Sequence, residues 1–272
     1  MKGVVLAGGR GLRLYPLTKV VNKHLLPVGK EPMIFNPVRK LVEAGITDIL
    51  VVSDAEQLGG ITHVLGGGAH FGCRFTYKAQ EGARGIAHAL SLAEDFANGD
   101  KIVVILGDNI TTSSIRAHVE KFASQQKGAK ILLKKVDNPT RYGIAAIDEQ
   151  QVLHIEEKPN QPKTPYAALG YYMYDGKVFD IIKTMKPSPR GEYEITDVNN
   201  VYAKSGELTY DFLEGEWTDA GTFESLLLAN QMFVKAGDVE QNGIPVGVAK
   251  DQVLDMLKFH ETKIAELQKH LT

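Results

Sequence analysis

Residues 3–13 read G-V-V-L-A-G-G-R-G-L-R. An apolar run passes straight into three glycines in four positions, flanked by arginines. The run has the look of a buried strand, and the glycines let the chain turn sharply at its end. Successive glycines also allow backbone N–H groups to converge on one point, which makes a nest for an anion. A helix starting after the loop would add the positive end of its dipole. The stretch lacks the G-K-[ST] ending of a P-loop and the spacing of a dinucleotide fingerprint. On these residues alone two readings stand, a tight strand-to-helix turn and an anion-binding loop.

Outward from this stretch, strand-like and helix-like patterns alternate. Apolar positions at Ile34, Val38, Leu41 and Val42 predict a helix over 32–44, ended by Gly45. Residues 48–53, 101–106 and 129–136 read as buried strands, and 84–96 and 114–122 as helices. Continuous apolar strands between amphipathic helices predict an α/β fold. It is Rossmann-like, with a mixed, mostly parallel central sheet and helices on both faces. Ligands of such sheets sit beyond the carboxyl ends of the strands. Both G-G-R-G-L-R and the G-D-N of residues 107–109 fall there.

The middle of the chain changes character. Residues 142–147 and 152–155 flank D-E-Q-Q and predict a hairpin, and 168–174 predicts another strand. Residues 137–220 are therefore expected as a β-rich half laid over the open edge of the first. Residues 235–250 read as a linker. From 251 to 272, Val253, Leu257, His260, Ile264, Leu267 and Leu271 form a narrow apolar stripe. That amphipathic helix either packs on its own subunit or pairs subunits.

Bulk composition sets bounds. The chain has 272 residues, 43% hydrophobic and 24% charged, which suffices for a substantial core. Thirty-one Lys plus Arg against 33 Asp plus Glu give a net charge of −2, so no global basic field gathers nucleic acid. Cys73 is the single cysteine, which excludes an intramolecular disulfide and fits a reducing, cytoplasmic setting. It is expected as a small half-buried residue in a strand. No run is long and apolar enough for a membrane span, and the first residues read as a strand, not a signal peptide.

The chemistry-bearing residues are spread along the chain. Arg13 and Lys23 place positive charge near the first strand end. Asp108 reads either as an Asx turn or as a carboxylate for Mg²⁺, which takes one or two carboxylates plus phosphate oxygens. Asp219, in W-T-D-A-G-T, supplies a partner carboxylate. Glu157 and Lys158, adjacent in I-E-E-K-P, read in isolation as solvated surface charge, and Gln80 as an uncharged surface residue.

Together these motifs resemble the sugar-1-phosphate nucleotidyltransferases. The resemblance rests on G-V-V-L-A-G-G-R-G-L-R-L-Y-P-L-T, N-K-H-L-L-P-V-G-K-E-P-M-I, F-G-C-R-F-T-Y-K-A-Q, G-I-A-H-A-L and V-I-L-G-D-N. R-Y-G-I-A, I-E-E-K-P, R-G-E-Y-E-I-T-D-V-N and W-T-D-A-G-T follow in the family's order. It spans 1–234, with a nucleotide-binding part over about 1–136 and a sugar-binding part over about 137–220. It implies Mg²⁺-assisted attack of a sugar-1-phosphate oxygen on the α-phosphorus of a nucleoside triphosphate, with release of pyrophosphate. Within the family the match is nearest to members that join dTTP to glucose-1-phosphate; UTP or another sugar-1-phosphate is the alternative. A non-catalytic nucleotide-sugar-binding regulator is a further alternative, disfavoured because both metal aspartates and both lysines are present.

The resemblance implies roles by position. Leu6, Gly8, Gly9, Gly11 and Arg13 match the triphosphate site, Gln80 and Gly85 the base, and Lys23 the reacting phosphates. Asp108 and Asp219 match the metal carboxylates. Asn109, Tyr142, Gly143, Glu157, Lys158, Gly170 and Arg190 match the sugar-phosphate pocket. Arg13, Lys23, Asp108 and Lys158 are the expected catalytic groups. Partners are then the nucleotide and the sugar phosphate, with neither nucleic acid nor membrane, in a homo-oligomer, a dimer or tetramer. Leu12 stands where the family usually has Ser or Thr, and His88 where it often has Gln. The segment 251–272 is extra to many short family members.

Overall fold

The computed structural model describes residues 1–235. The expected helix over 251–272, and the expected linker beyond Lys235, lie outside the described residues.

The described chain runs β1 (Lys2–Leu6), β2 (Pro27–Val28), β3 (Glu31–Pro32), α1 (Phe35–Glu43), β4 (Asp48–Asp54), α2 (Leu58–Leu65) and β5 (Arg74–Gln80). It continues with α3 (Ile86–Ser91), α4 (Glu94–Ala97), β6 (Ile102–Leu106), β7 (Asn109–Thr111), α5 (Arg116–Ser124) and β8 (Ala129–Lys135). The remainder is β9 (Gly143–Ile147), β10 (Val152–Glu157), β11 (Tyr166–Tyr174), α6 (Lys177–Thr184), α7 (Ile195–Lys204), β12 (Leu208–Phe212), β13 (Trp217–Asp219) and α8 (Phe223–Lys235).

Nine strands form one sheet. The order β10-β9-β11-β6-β1-β4-β5 is its spine, and β8 pairs with β11 and β12. The strands β6, β1, β4 and β5 are parallel, and the apolar runs of β6, β1 and β4 are those of a sheet covered on both faces. Alternation along them sorts the core into two layers. Val4, Leu6, Val52, Val104 and Tyr174 pack under α3, α6 and α7. Val5, Val51, Val103, Ile105 and Met173 pack under α1, α2 and α5.

Four local expectations are corrected. The helix expected over 84–96 is broken into α3 and α4, because Ala93 N–H bonds to Leu90 O and tightens the turn. The β-rich half is not laid over an edge. Its β11 lies antiparallel beside β6 and extends the same sheet in plane, and two helices, α6 and α7, accompany it. Their signal was present: Ile195, Val198 and Tyr202 are buried at steps of three and four. No helix of consequence follows the first glycine loop; Leu12–Leu14 is a single 3₁₀ turn. Cys73 sits one residue before β5, with its thiol 3.7 Å from Gly68 O.

A third, smaller cluster matters for the site. Leu14, Leu26, Met33, Ile110, Ala220 and Met232 pack together, clamping the 14–33 segment and β13 under α8. Among the described residues no helix is long and apolar enough to cross a membrane.

Candidate active site

The ends of β1, β5, β6, β10 and β13 open on one cleft of about 610 Å³. It is lined by every residue assigned above from the sequence except Gly11. Gly11 shapes the loop instead. It holds φ +60, a Cβ there would meet Thr18 at 2.8 Å, and Thr18 Oγ1 donates to its carbonyl at 2.9 Å. The loop amide of Gly9 donates to Asp54 Oδ2 at 2.7 Å. An oxygen anion thus already satisfies one N–H of the expected nest, and it tethers the loop to β4. The dipole expected from a following helix is missing, since one 3₁₀ turn carries little.

Two carboxylates meet at the floor. β13 pairs antiparallel with β7, setting Asp219 opposite Asn109, and Ala220 N–H bonds to Asp108 O at 2.8 Å. Lys23 Nζ contacts Asp108 Oδ2 at 2.5 Å. Burial acts to raise the Asp108 carboxyl, but Lys23, His24 and the Asn109 amide overcome it and hold it well below the usual carboxylate range. Asp219 moves the other way: burial, then the charge of Asp108, push it up. Beneath them His24 is buried, and burial with Lys23 drives its pKa down to about 3, so it stays neutral. Its Nδ1 donates to Asn22 Oδ1 at 2.7 Å.

Asn109 and Gly170, expected at the sugar phosphate, are committed behind Asp108. Asn109 Oδ1 accepts from Gly170 N–H at 2.9 Å and Trp217 Nε1 at 3.0 Å, and its Nδ2 donates to Asp108 Oδ1 at 3.1 Å. A Cβ on Gly170 would sit 2.6 Å from Asn109, so only glycine lets the amide pass. Tyr142 is likewise turned to Asp219. Its hydroxyl donates to Asp219 Oδ1 at 3.2 Å, and burial with that charge pushes its pKa up to about 12.

The far wall is charged. Glu157 Oε2 accepts from Thr196 Oγ1 at 2.7 Å, and its Oε1 lies 3.3 Å from Lys158 Nζ and 3.7 Å from Arg190. Arg190 also pairs with Glu194 at 2.9 Å. Lys158 has φ +47, one of two non-glycine residues with positive φ among the described residues. Such strain persists where the surroundings impose it, which suits a functional position. Gly143 lies beside Glu157; a Cβ there would be 3.3 Å from its Oε2.

At the other end Gln80 and Gly85 sit together. Gly85 has φ +98, and any Cβ would collide with the Tyr193 backbone at 2.6 Å. Arg141 was missed by sequence reasoning, although it precedes the quoted Tyr142. Its Nη2 is buried with no hydrogen-bond partner among the described residues and lies 4.0 Å from Asp219 Oδ1. An unpartnered buried guanidinium nitrogen lining the cleft is a waiting site for an anion's oxygen. Asp54, His24 and Thr196 were also missed, since single polar residues carry no periodic signal.

Arg13, Lys23, Arg141, Lys158 and Arg190 line one cleft with Asp108 and Asp219, at the strand ends of an open α/β sheet, and define a site for phosphate chemistry. The chain belongs to the nucleotidyl transferase family, whose model matches residues 2–236. It is similar to a glucose-1-phosphate thymidylyltransferase of Neisseria meningitidis, 41% identical over 83% of this chain and 80% of that one. One from Mycolicibacterium smegmatis is 40% identical over 92% of this chain and 88% of that one. A crystal structure from Bacillus anthracis, provisionally assigned as a glucose-1-phosphate thymidylyltransferase and holding sucrose, is 55% identical with TM-score 0.82. It covers 85% of this chain and 94% of that one. A UDP-glucose pyrophosphorylase structure shares the fold at 23% identity and TM-score 0.77, over 86% of this chain and 98% of that one.

Proposed function

We propose that this protein transfers a thymidylyl group from dTTP to glucose-1-phosphate, releasing pyrophosphate. The observation that carries the reading is the gathering of Arg13, Lys23, Arg141 and Lys158 in one cleft, with Gln80 at one end and Glu157 at the other. The preference for dTTP and glucose-1-phosphate is supported by what the relatives are named for.

A phosphate monoester is largely a dianion near neutral pH, so its oxygen needs no general base. It attacks the α-phosphorus in line; the new O–P bond forms as the bond to the bridging oxygen breaks, and pyrophosphate leaves. What the protein supplies is position and charge. Arg13, Lys23 and Arg141 offset charge on the triphosphate, Lys158 meets the sugar phosphate, and Glu157 accepts from sugar hydroxyls. A Glu held by Thr196 discriminates against sugars lacking those hydroxyls, which leave it unpaired.

Asp108 and Asp219 would hold Mg²⁺. The fit is electrostatic: Asp108 charge pushes Asp219 up, and a divalent cation between hard oxygens relieves that repulsion. An Mg²⁺ ion held by one or two carboxylates completes its shell with phosphate oxygens and water. When bound it neutralises phosphate charge.

The test is a matrix of dTTP, UTP, dCTP and ATP against several sugar-1-phosphates, read by pyrophosphate release with Mg²⁺ present. Release is expected most strongly for dTTP with glucose-1-phosphate. No release for any pair overturns the reading, and a stronger signal with UTP reassigns the nucleotide.

A further inference from the structure

Gln80 closes β5 and is 4% exposed. Its Nε2 lies 2.9 Å from His88 Nδ1 and 3.4 Å from Gly85 O. A backbone carbonyl only accepts, so the nitrogen end of the amide belongs on that side. His88 Nδ1 is then the acceptor, and the imidazole proton sits on Nε2. The environment agrees, since burial and Arg84 lower the His88 pKa and favour the neutral ring that alone has an acceptor nitrogen. The oxygen end faces the glycine loop: a Cβ on Gly8 would lie 3.1 Å from Gln80 Oε1. The two ends of one amide are thereby told apart.

We propose that His88, together with the Gly85 carbonyl, locks the Gln80 amide in the orientation that selects thymine or uracil over cytosine. The inference rests on the reading that Gln80 faces the base. Thymine and uracil present an N3–H donor beside a C4 carbonyl. Cytosine presents an N3 acceptor beside an amino donor. Gln80 Nε2 spends its two N–H groups on His88 Nδ1 and Gly85 O, so Oε1 is left as an acceptor that matches the N3–H of the first pair and opposes the N3 acceptor of the second. Turned over, the same side chain would match cytosine. His88 touches no nucleotide in this account; it is a positioning residue acting through Gln80. Its ring is only partly buried, so it can be replaced without opening the core.

The experiment compares kcat/KM for dUTP and dCTP, which differ only at N3 and C4, with glucose-1-phosphate as acceptor. It uses the full chain and the variants His88→Leu, His88→Gln and His88→Lys. The wild type is expected to prefer dUTP by roughly a hundredfold or more. His88→Leu removes the acceptor and lowers that ratio about tenfold, mainly through a higher KM for dUTP. His88→Gln offers an amide oxygen in the same place and restores it. His88→Lys offers only donors, favours the turned amide, and lowers the ratio beyond Leu.

A wild type without preference overturns the reading of the base by Gln80 itself. A preference that survives in both His88→Leu and His88→Lys overturns the role of His88 while that reading stands. Equal losses on both nucleotides leave the ratio unchanged and count in the same way. A ratio lost in His88→Leu but not restored in His88→Gln assigns the effect to packing and also overturns the proposal.

Discussion

Lys23 Nζ lies 2.5 Å from Asp108 Oδ2, and both side chains are only 14% exposed. In the absence of substrate each group neutralises the other at the cleft floor. Asp108→Asn keeps the shape and removes the charge. The Lys23 ammonium then loses its partner, and the carboxylate pair becomes a single carboxylate. Turnover is expected to fall at least about a thousandfold, while circular dichroism shows a folded protein. Unchanged pyrophosphate release would remove Asp108 from the mechanism. Lys23→Met leaves Asp108 buried without its cation, and denaturant unfolding is expected to show a loss of about 3 kcal/mol.

Gly221 gives a sharper test of Arg13. A Cβ on Gly221 would sit 2.9 Å from Arg13 Nη2 and 3.8 Å from Asp108 Oδ2. Gly221 is not among the glycines with positive φ, so alanine imposes no backbone strain there. What must move is the mobile end of Arg13. Gly221→Ala is expected to lower kcat/KM for the nucleotide by roughly tenfold to a hundredfold with Tm nearly unchanged. A loss of Tm without loss of activity would show that Gly221 serves packing alone.

The sheet was legible because apolar strands such as Ile102–Leu106 are buried on both faces and repeat between helices. Asp108 and Asp219 were legible only as members of a motif series; neither carries a period. What escaped was whatever depends on contacts distant in sequence. Asn109 was assigned to the sugar, yet it spends its amide on Gly170, Trp217 and Asp108, up to 108 positions away. Arg141 was quoted and passed over, because an unpartnered guanidinium nitrogen is a property of the packed cleft. The expected helix dipole failed at Leu12–Leu14, where the chain makes one 3₁₀ turn.

Arg141 has its own prediction. Its Nη2 is buried beside Asp219 with no hydrogen bond, so truncation removes a phosphate partner without breaking an internal bond. Arg141→Met is expected to cut kcat by about tenfold to a thousandfold, with stability within about 1 kcal/mol of wild type. Wild-type kcat in this variant would leave the orphan nitrogen without a role in turnover.

Away from the cleft, Asp211 ties β12 to α5 and β8. Its carboxylate meets His118 at 3.0 Å, Lys121 at 3.2 Å and Lys130 at 3.3 Å. Burial acts to raise it, but His118, Lys130 and Lys121 prevail and hold the folded carboxyl below the usual carboxylate range. A carboxylate depressed on folding contributes stability that is complete above its unfolded value and lost as pH falls through the folded one. The Tm gap between wild type and Asp211→Asn should therefore be constant from neutral pH down to about pH 4 and close below it. A gap that closes above pH 5 would assign the effect to another group.

Leu12 lies in the glycine loop between Gly11 and Arg13, and it is 73% exposed. An exposed side chain that packs against nothing contributes little to folding, so Leu12→Ser should change stability by no more than about 0.5 kcal/mol. The same substitution adds a hydroxyl next to Gly11 and Arg13, on the loop whose Gly8 and Gly9 line the cleft. A hydroxyl that reaches a phosphate oxygen gains about one hydrogen bond, and the KM for dTTP should fall by up to about tenfold at unchanged kcat. Steady-state kinetics across dTTP concentration checks this. A rise in KM with stability intact would show that Leu12 covers the nucleotide once it is bound, so that the loop holds the triphosphate by apolar closure.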